Sequence, residues 1–168
     1  PDAHNRTCQQ VAQWMHDAGM PTRSDAAGNL IGRYEGQTPG APALLIGSHL
    51  DTVRNAGRYD GTLGVMLGIE VVAHLAERGE RLPFAIEVIG SGDEEGSRFP
   101  ASMLTSRAVA GTLDAPPLGA ADASGATLGD VLRAAGLDPA RYRDAAYLPQ
   151  PVVAHLVSHI QAAPRLLA

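Results

Sequence analysis

Several things are scarce in this sequence, and each shortage removes a class of protein. There is one cysteine among the 168 residues, Cys8, so no disulfide can form within the chain and a reducing compartment, the cytoplasm, is expected. Nothing around Cys8 would activate a thiol, which makes it a small helix residue rather than a nucleophile. No run reaches the roughly 18 apolar residues that a membrane helix needs. The best stretch, Leu63 to Leu75, is broken by Glu70 and His74. Positive charge is in deficit too, with 13 Lys and Arg against 18 Asp and Glu, and the arginines are scattered. A formal charge of −5 and a pI near 5.6 exclude nucleic acid and anionic membrane as expected partners. The amino terminus has no charged-then-apolar leader pattern. The sequence opens at Pro1 rather than methionine, so an upstream part is expected to be missing.

What is present fits one globular domain, with 45% hydrophobic and 18% charged residues. Val11, Trp14, Met15 and Ala18 recur at helical spacing and predict a helix over His4–Ala18, stopped by Gly19 and Pro21. Asp25 to Asn29 reads as a turn and Leu30–Tyr34 as a short strand. Ala43–Ile46 and Leu82–Ile89 are apolar runs of the kind that form buried parallel strands. Between them Gly61–Glu77 predicts a helix apolar on most faces and therefore buried. Ser102–Val109 is a further short helix, and Thr127-Leu128-Gly129-Asp130 has the form of a capping box. Strand, helix, strand with a right-handed crossover predicts an α/β fold, a three-layer sandwich around a largely parallel, mixed sheet.

The chemistry collects where these strands end. His49 and Asp51, two residues apart in extended backbone, leave the same face. Asp51 is placed to accept the other ring N–H of His49 and orient it as a ligand. Asp60, beside Gly61, stands at the start of the helix, where it could be an N-cap or bridge two cations. Glu94 and Glu95 lie in a loop bounded by Gly92 and Gly96. Beside a histidine–aspartate pair, adjacent glutamates suggest divided labour, one on metal and one moving a proton. Ser48, His49 and Asp51 are too close in sequence to converge as a nucleophilic triad.

His49-Leu50-Asp51-Thr52-Val53, Tyr59-Asp60-Gly61 and Asp93-Glu94-Glu95-Gly96-Ser97-Arg98-Phe99 resemble metallohydrolases of the aminoacylase and carboxypeptidase G type. Arg54 to Arg58 and Ser106 to Gly111 are similar, more narrowly, to the allantoate amidohydrolase and N-carbamoyl-L-amino acid hydrolase branch. The resemblance implies two divalent ions, zinc or manganese, and hydrolysis of a linear amide or ureido C–N bond in a small molecule. It implies His49 as ligand of one ion, Asp60 as the bridge and Glu95 as ligand of the other. It further implies Glu94 as general base and Asp51 as the partner that orients His49. His159, in His159-Ile160-Gln161-Ala162-Ala163-Pro164, falls on a further ligand position, with a surface histidine as the other reading. Ala162 stands where a substrate-contacting glutamine is expected. Allantoate is the expected substrate, with an N-carbamoyl amino acid, or a truncated remnant that binds metal without turnover, as alternatives. Residues 1–168 are then expected to be part of a catalytic domain, without the lid and dimerisation domain through which full-length relatives form homodimers.

Overall fold

The structure, a computed structural model, describes residues 2–113, 115–147 and 151–160. In chain order its elements are α1 (Asp2–Asp17), β1 (Thr22–Ser24), β2 (Leu30–Tyr34), β3 (Ala43–His49), α2 (Thr62–Glu77), β4 (Ala85–Ser91), α3 (Leu104–Val109), α4 (Leu128–Ala134), a 3₁₀-helix (Pro139–Ala145) and β5 (Val152–Val157).

The five strands form one sheet in the order β1-β2-β4-β3-β5. β3 runs parallel to β4 on one side and to β5 on the other. The β1–β2 and β2–β4 pairs are antiparallel. The two apolar runs are thus interior parallel neighbours, as expected, within a mixed α/β sheet. The alternation of the strands sorts their side chains into two layers of core. Leu30, Tyr34, Ile86 and Val88 pack with Val11 and Met15 of α1 and Val65, Ile69 and Val72 of α2. On the opposite face Ile31, Leu45, Ala85 and Ile89 meet Val109 of α3 and Tyr147. Helices on both faces make the three layers.

Two sequence expectations need correction. The second helix is not buried on most faces. Gly64, Val65, Gly68, Ile69 and Val72 lie against the sheet, whereas Leu67 and Val71 are 47% and 46% exposed. A helix laid on a sheet buries one stripe, and apolar composition alone does not say whether a second layer covers the rest. Pro139 also does more than end a helix. It begins the 3₁₀-helix, with the Asp138 side chain accepting the Ala140 N–H at 3.0 Å, as proline at a first helical position allows. The capping box is present as expected: the Thr127 hydroxyl accepts the Asp130 N–H at 3.1 Å and Asp130 accepts the Thr127 N–H at 3.2 Å.

Candidate metal centre

Parallel pairing carries β3 and β4 to a common finish, with His49 opposite Ser91. One further bond, Leu50 N–H to the Ser91 carbonyl at 2.8 Å, keeps the two outgoing loops together. The His49 loop and the acidic loop therefore start side by side at the carboxyl edge of the sheet, where open α/β folds build their sites.

His49 is 1% exposed. Its Nδ1 lies 2.7 Å from the main-chain oxygen of Asp51. A carbonyl can only accept, so Nδ1 carries a ring proton, and Nε2 is the nitrogen left to offer a lone pair to a cation. That lone pair faces Asp60 Oδ1 at 3.7 Å and Glu95 Oε1 at 3.8 Å. Both separations are too long for hydrogen bonds. His49 Nε2 and Asp60 Oδ1 are buried and have no hydrogen-bond partner among the described residues, although such atoms are nearly always paired. His49 Nε2 thus faces two carboxylate oxygens, one on Asp60 and one on Glu95, each across a gap too long for a hydrogen bond. A divalent cation satisfies that arrangement, because ligands about 2.0–2.2 Å from one ion lie about 3–4 Å from each other. Imidazole with carboxylate oxygens is a donor set suited to such an ion.

His159 joins this group from the far end of the chain. β5 pairs with β3, and just beyond it a ring nitrogen of His159 comes within 4.8 Å of the donor atoms of His49 and Glu95. The two imidazole rings are 5.3 Å apart and tilted by 37°. Asp60 is delivered by the loop before α2, and Gly61 makes that delivery possible. With φ at +77°, Gly61 passes so close to His49 that a Cβ there would sit 2.6 Å from the ring Cε1.

Asp51 is close by, in a different role from the one its spacing suggested. Its carboxylate is 3.8 Å from His49 Nδ1, which the Asp51 main-chain oxygen already holds. The carboxylate instead accepts the N–H of Glu94 at 3.0 Å and of Glu95 at 3.2 Å. Two loop amides would otherwise lack a partner, and they capture the stronger acceptor. The Glu94 side chain is engaged elsewhere, its Oε2 accepting the Ser106 hydroxyl at 2.6 Å. Asp93 shapes the loop: in the left-handed region at φ +49°, its carboxylate accepts the N–H of Arg98 at 3.1 Å. Burial pushes the Asp93 carboxyl above its usual range.

The structure thus gathers His49, Asp60, Glu95 and His159 and sets Asp51 and Glu94 behind them. Ala162 lies outside the described residues. From sequence, Thr105 is only part of a helix and Ser106 only part of a helix and of a family-like stretch, with no role at the site for either. The one available sign was that they follow the acidic loop at the distance of a short turn.

A mixed α/β sheet with an imidazole–carboxylate centre at its carboxyl edge defines the class, and comparison with known proteins defines the family. Residues 29–126 match peptidase family M28, and the chain belongs to that family. It is 48% identical over 151 residues to N-carbamoyl-L-amino acid amidohydrolase of Geobacillus stearothermophilus, an overlap of 90% of this chain and 37% of that one. It is 41% identical over 167 residues to a probable allantoate deiminase of Oryza sativa subsp. japonica, covering 97% and 34% of the two chains. Among solved structures it resembles a hydantoinase/carbamoylase family amidase from Burkholderia ambifaria, with a TM-score of 0.85 and 37% identity over 99% of this chain and 40% of that one. The chain spans about a third of the length of these curated relatives.

Proposed function

We propose that the chain is part of the catalytic domain of a metal-dependent amidohydrolase that cleaves a linear amide or ureido C–N bond. The observation that carries this reading is the buried pair His49 Nε2 and Asp60 Oδ1, unpartnered among the described residues, with Glu95 Oε1 3.8 Å from the same ring nitrogen. His49, Asp60, Glu95 and His159 would hold the metal, two ions of zinc or manganese. When bound, such ions polarise the scissile carbonyl and acidify water.

The rest of the chemistry belongs to the chain's own residues. Glu94 would take a proton from the attacking water at Oε1, which has no hydrogen-bond partner among the described residues, and return it to the leaving nitrogen. The Asp51 main-chain oxygen fixes the His49 tautomer, and the Asp51 carboxylate holds the acidic loop to the sheet. Allantoate is the substrate we favour, supported by the likeness to allantoate deiminases. An N-carbamoyl amino acid is the second reading, favoured by the 48% identity to the Geobacillus amidohydrolase. In either case the substrate is a small ureido compound. The parts of the relatives beyond this overlap would supply the lid, substrate contacts and a homodimer interface. A single cysteine supports a cytoplasmic location, and among the described residues no helix is long and apolar enough to cross a membrane.

Calorimetric titration of metal-stripped protein with zinc and with manganese tests the site. Wild type should bind and His49→Ala should lose at least about a hundredfold in affinity. Equal affinity in the two proteins would remove the site. Ammonia release from allantoate and from N-carbamoyl amino acids, assayed on this chain and on a longer gene product, then decides between catalysis and metal binding alone.

A further inference from the structure

Glu94 and Glu95 are adjacent and chemically identical, and their main-chain N–H groups are fastened to the same Asp51 carboxylate. Backbone position therefore does not distinguish them; their side-chain surroundings do. Glu95 Oε1 stands 3.8 Å from His49 Nε2. Glu94 Oε2 instead takes the hydroxyl hydrogen of Ser106 at 2.6 Å. That hydroxyl has one proton and a second acceptor in reach, the Met103 carbonyl at 3.3 Å. The shorter bond to a carboxylate is the stronger of the two.

The start of α3 that carries Ser106 is itself locked to the acidic loop. The Thr105 hydroxyl donates to the Gly92 carbonyl at 2.7 Å and accepts the Gly92 N–H at 3.1 Å. Met103, left-handed at φ +58°, donates its N–H to the Glu94 carbonyl at 2.7 Å. Met103 and Thr105 thus grip three main-chain atoms of the loop, and a fourth bond, from Ser106, reaches a side chain.

We propose that Ser106 is a positioning residue that holds Glu94 out of the metal's ligand set and so separates the two glutamates into base and ligand. The inference rests on the metal reading above. With Oε2 engaged by Ser106, Oε1 is the oxygen without a partner among the described residues, and the tether holds the side chain from swinging toward His49. Without the hydroxyl, Glu94 becomes a second anionic donor beside the ion.

The test uses the metal-stripped 168-residue chain, zinc calorimetry and the visible spectrum of bound cobalt(II). Ser106→Ala should tighten zinc binding by about tenfold, the gain expected of one added charged donor. It should also weaken and shift the cobalt band as coordination number rises. Ser106→Thr, which keeps the hydroxyl, should behave as wild type. In a Glu94→Gln background Ser106→Ala should change nothing. Alanine is the better helix former, so a folded variant is expected, and circular dichroism confirms it.

Unchanged affinity and spectrum in Ser106→Ala would overturn the proposal while leaving the metal site standing. So would an equal effect in the Glu94→Gln background, which would mark Ser106 as merely structural. Failure of wild type to bind zinc or cobalt would instead bring down the metal reading, and this inference with it.

Discussion

The carboxylate of Asp51 accepts the main-chain N–H of Glu94 at 3.0 Å across the gap between two loops. With its second oxygen on the Glu95 N–H, this one side chain ties the loop after β4 to the loop after β3. The acidic loop has no regular structure of its own, so its position relative to His49 depends on such bonds. Asp51→Ala should therefore cost about 2–3 kcal/mol of unfolding free energy, read from urea titrations. It should also loosen zinc binding by about ten- to a hundredfold, as loss of a ligand's support does. A stable variant with full affinity would show that the loop needs no such tie.

Substitution should separate the two glutamates. Glu95 faces His49 Nε2, so Glu95→Gln should lower metal affinity at the site. Glu94 is turned toward Ser106, so Glu94→Gln should keep nearly full metal content in plasma emission analysis. In a chain that turns over, Glu94→Gln should cut kcat by about a hundredfold or more with KM little changed. Metal lost from Glu94→Gln and kept in Glu95→Gln would mean the roles are reversed.

Gly61→Ala probes the close approach beneath the imidazole. A side chain at φ +77° is strained, and its Cβ would press on the buried His49 ring. A loss of about 2 kcal/mol in stability, together with weakened metal binding, is expected from strain of this kind. Unaltered calorimetric binding would show that the His49 ring can move without cost.

Alkaline pH provides a test away from the site. Tyr142 and Tyr147 are both buried, and burial holds both phenols well above their ordinary value of 10.0. Glu87, which accepts the Tyr147 hydroxyl, adds to the shift at that residue. A folded-state pKa raised above the unfolded one leaves stability intact below about pH 10. Above that the unfolded chain ionises first, and stability falls as pH rises toward the folded value. Each tyrosine should contribute a slope of up to about 1.4 kcal/mol per pH unit. Urea midpoints measured between pH 9 and 11.5 should show the decline, and Tyr142→Phe should flatten it. A slope identical in Tyr142→Phe and wild type would exclude Tyr142 as a source.

Much of this was legible in the residues. The apolar runs at Ala43–Ile46 and Phe84–Ile89 are long enough, and lacking enough in polar interruptions, to identify the two central strands. His49 and Glu95 stood out as candidates at or just past the ends of those strands, and Asp60 as a candidate beside Gly61 at the start of the helix. β1 was not legible, because Thr22, Arg23 and Ser24 are all exposed and show no apolar alternation. They are a strand only because the β2 edge offers partners. The part played by Asp51 was hidden for another reason. Spacing places a side chain on a face, and it does not say whether an imidazole or two loop amides will reach the carboxylate first. The bond from Ser106 to Glu94 was hidden in the same sense, since it depends on where α3 turns back against the acidic loop.

The pairing of β5 with β3 sets a timetable for the site. His49 and His159 are more than a hundred residues apart in sequence, and only when the last strand docks do their rings become neighbours. Closing a loop of that length costs about 4 kcal/mol of chain entropy beyond a constant, and such non-local contacts are slow to form. The chain can thus acquire its helices and the β3–β4 pair while the cluster of donors is still missing its most distant member. Full affinity for a cation would be among the last properties to appear during refolding, and the first to disappear when the carboxyl-terminal strand peels away.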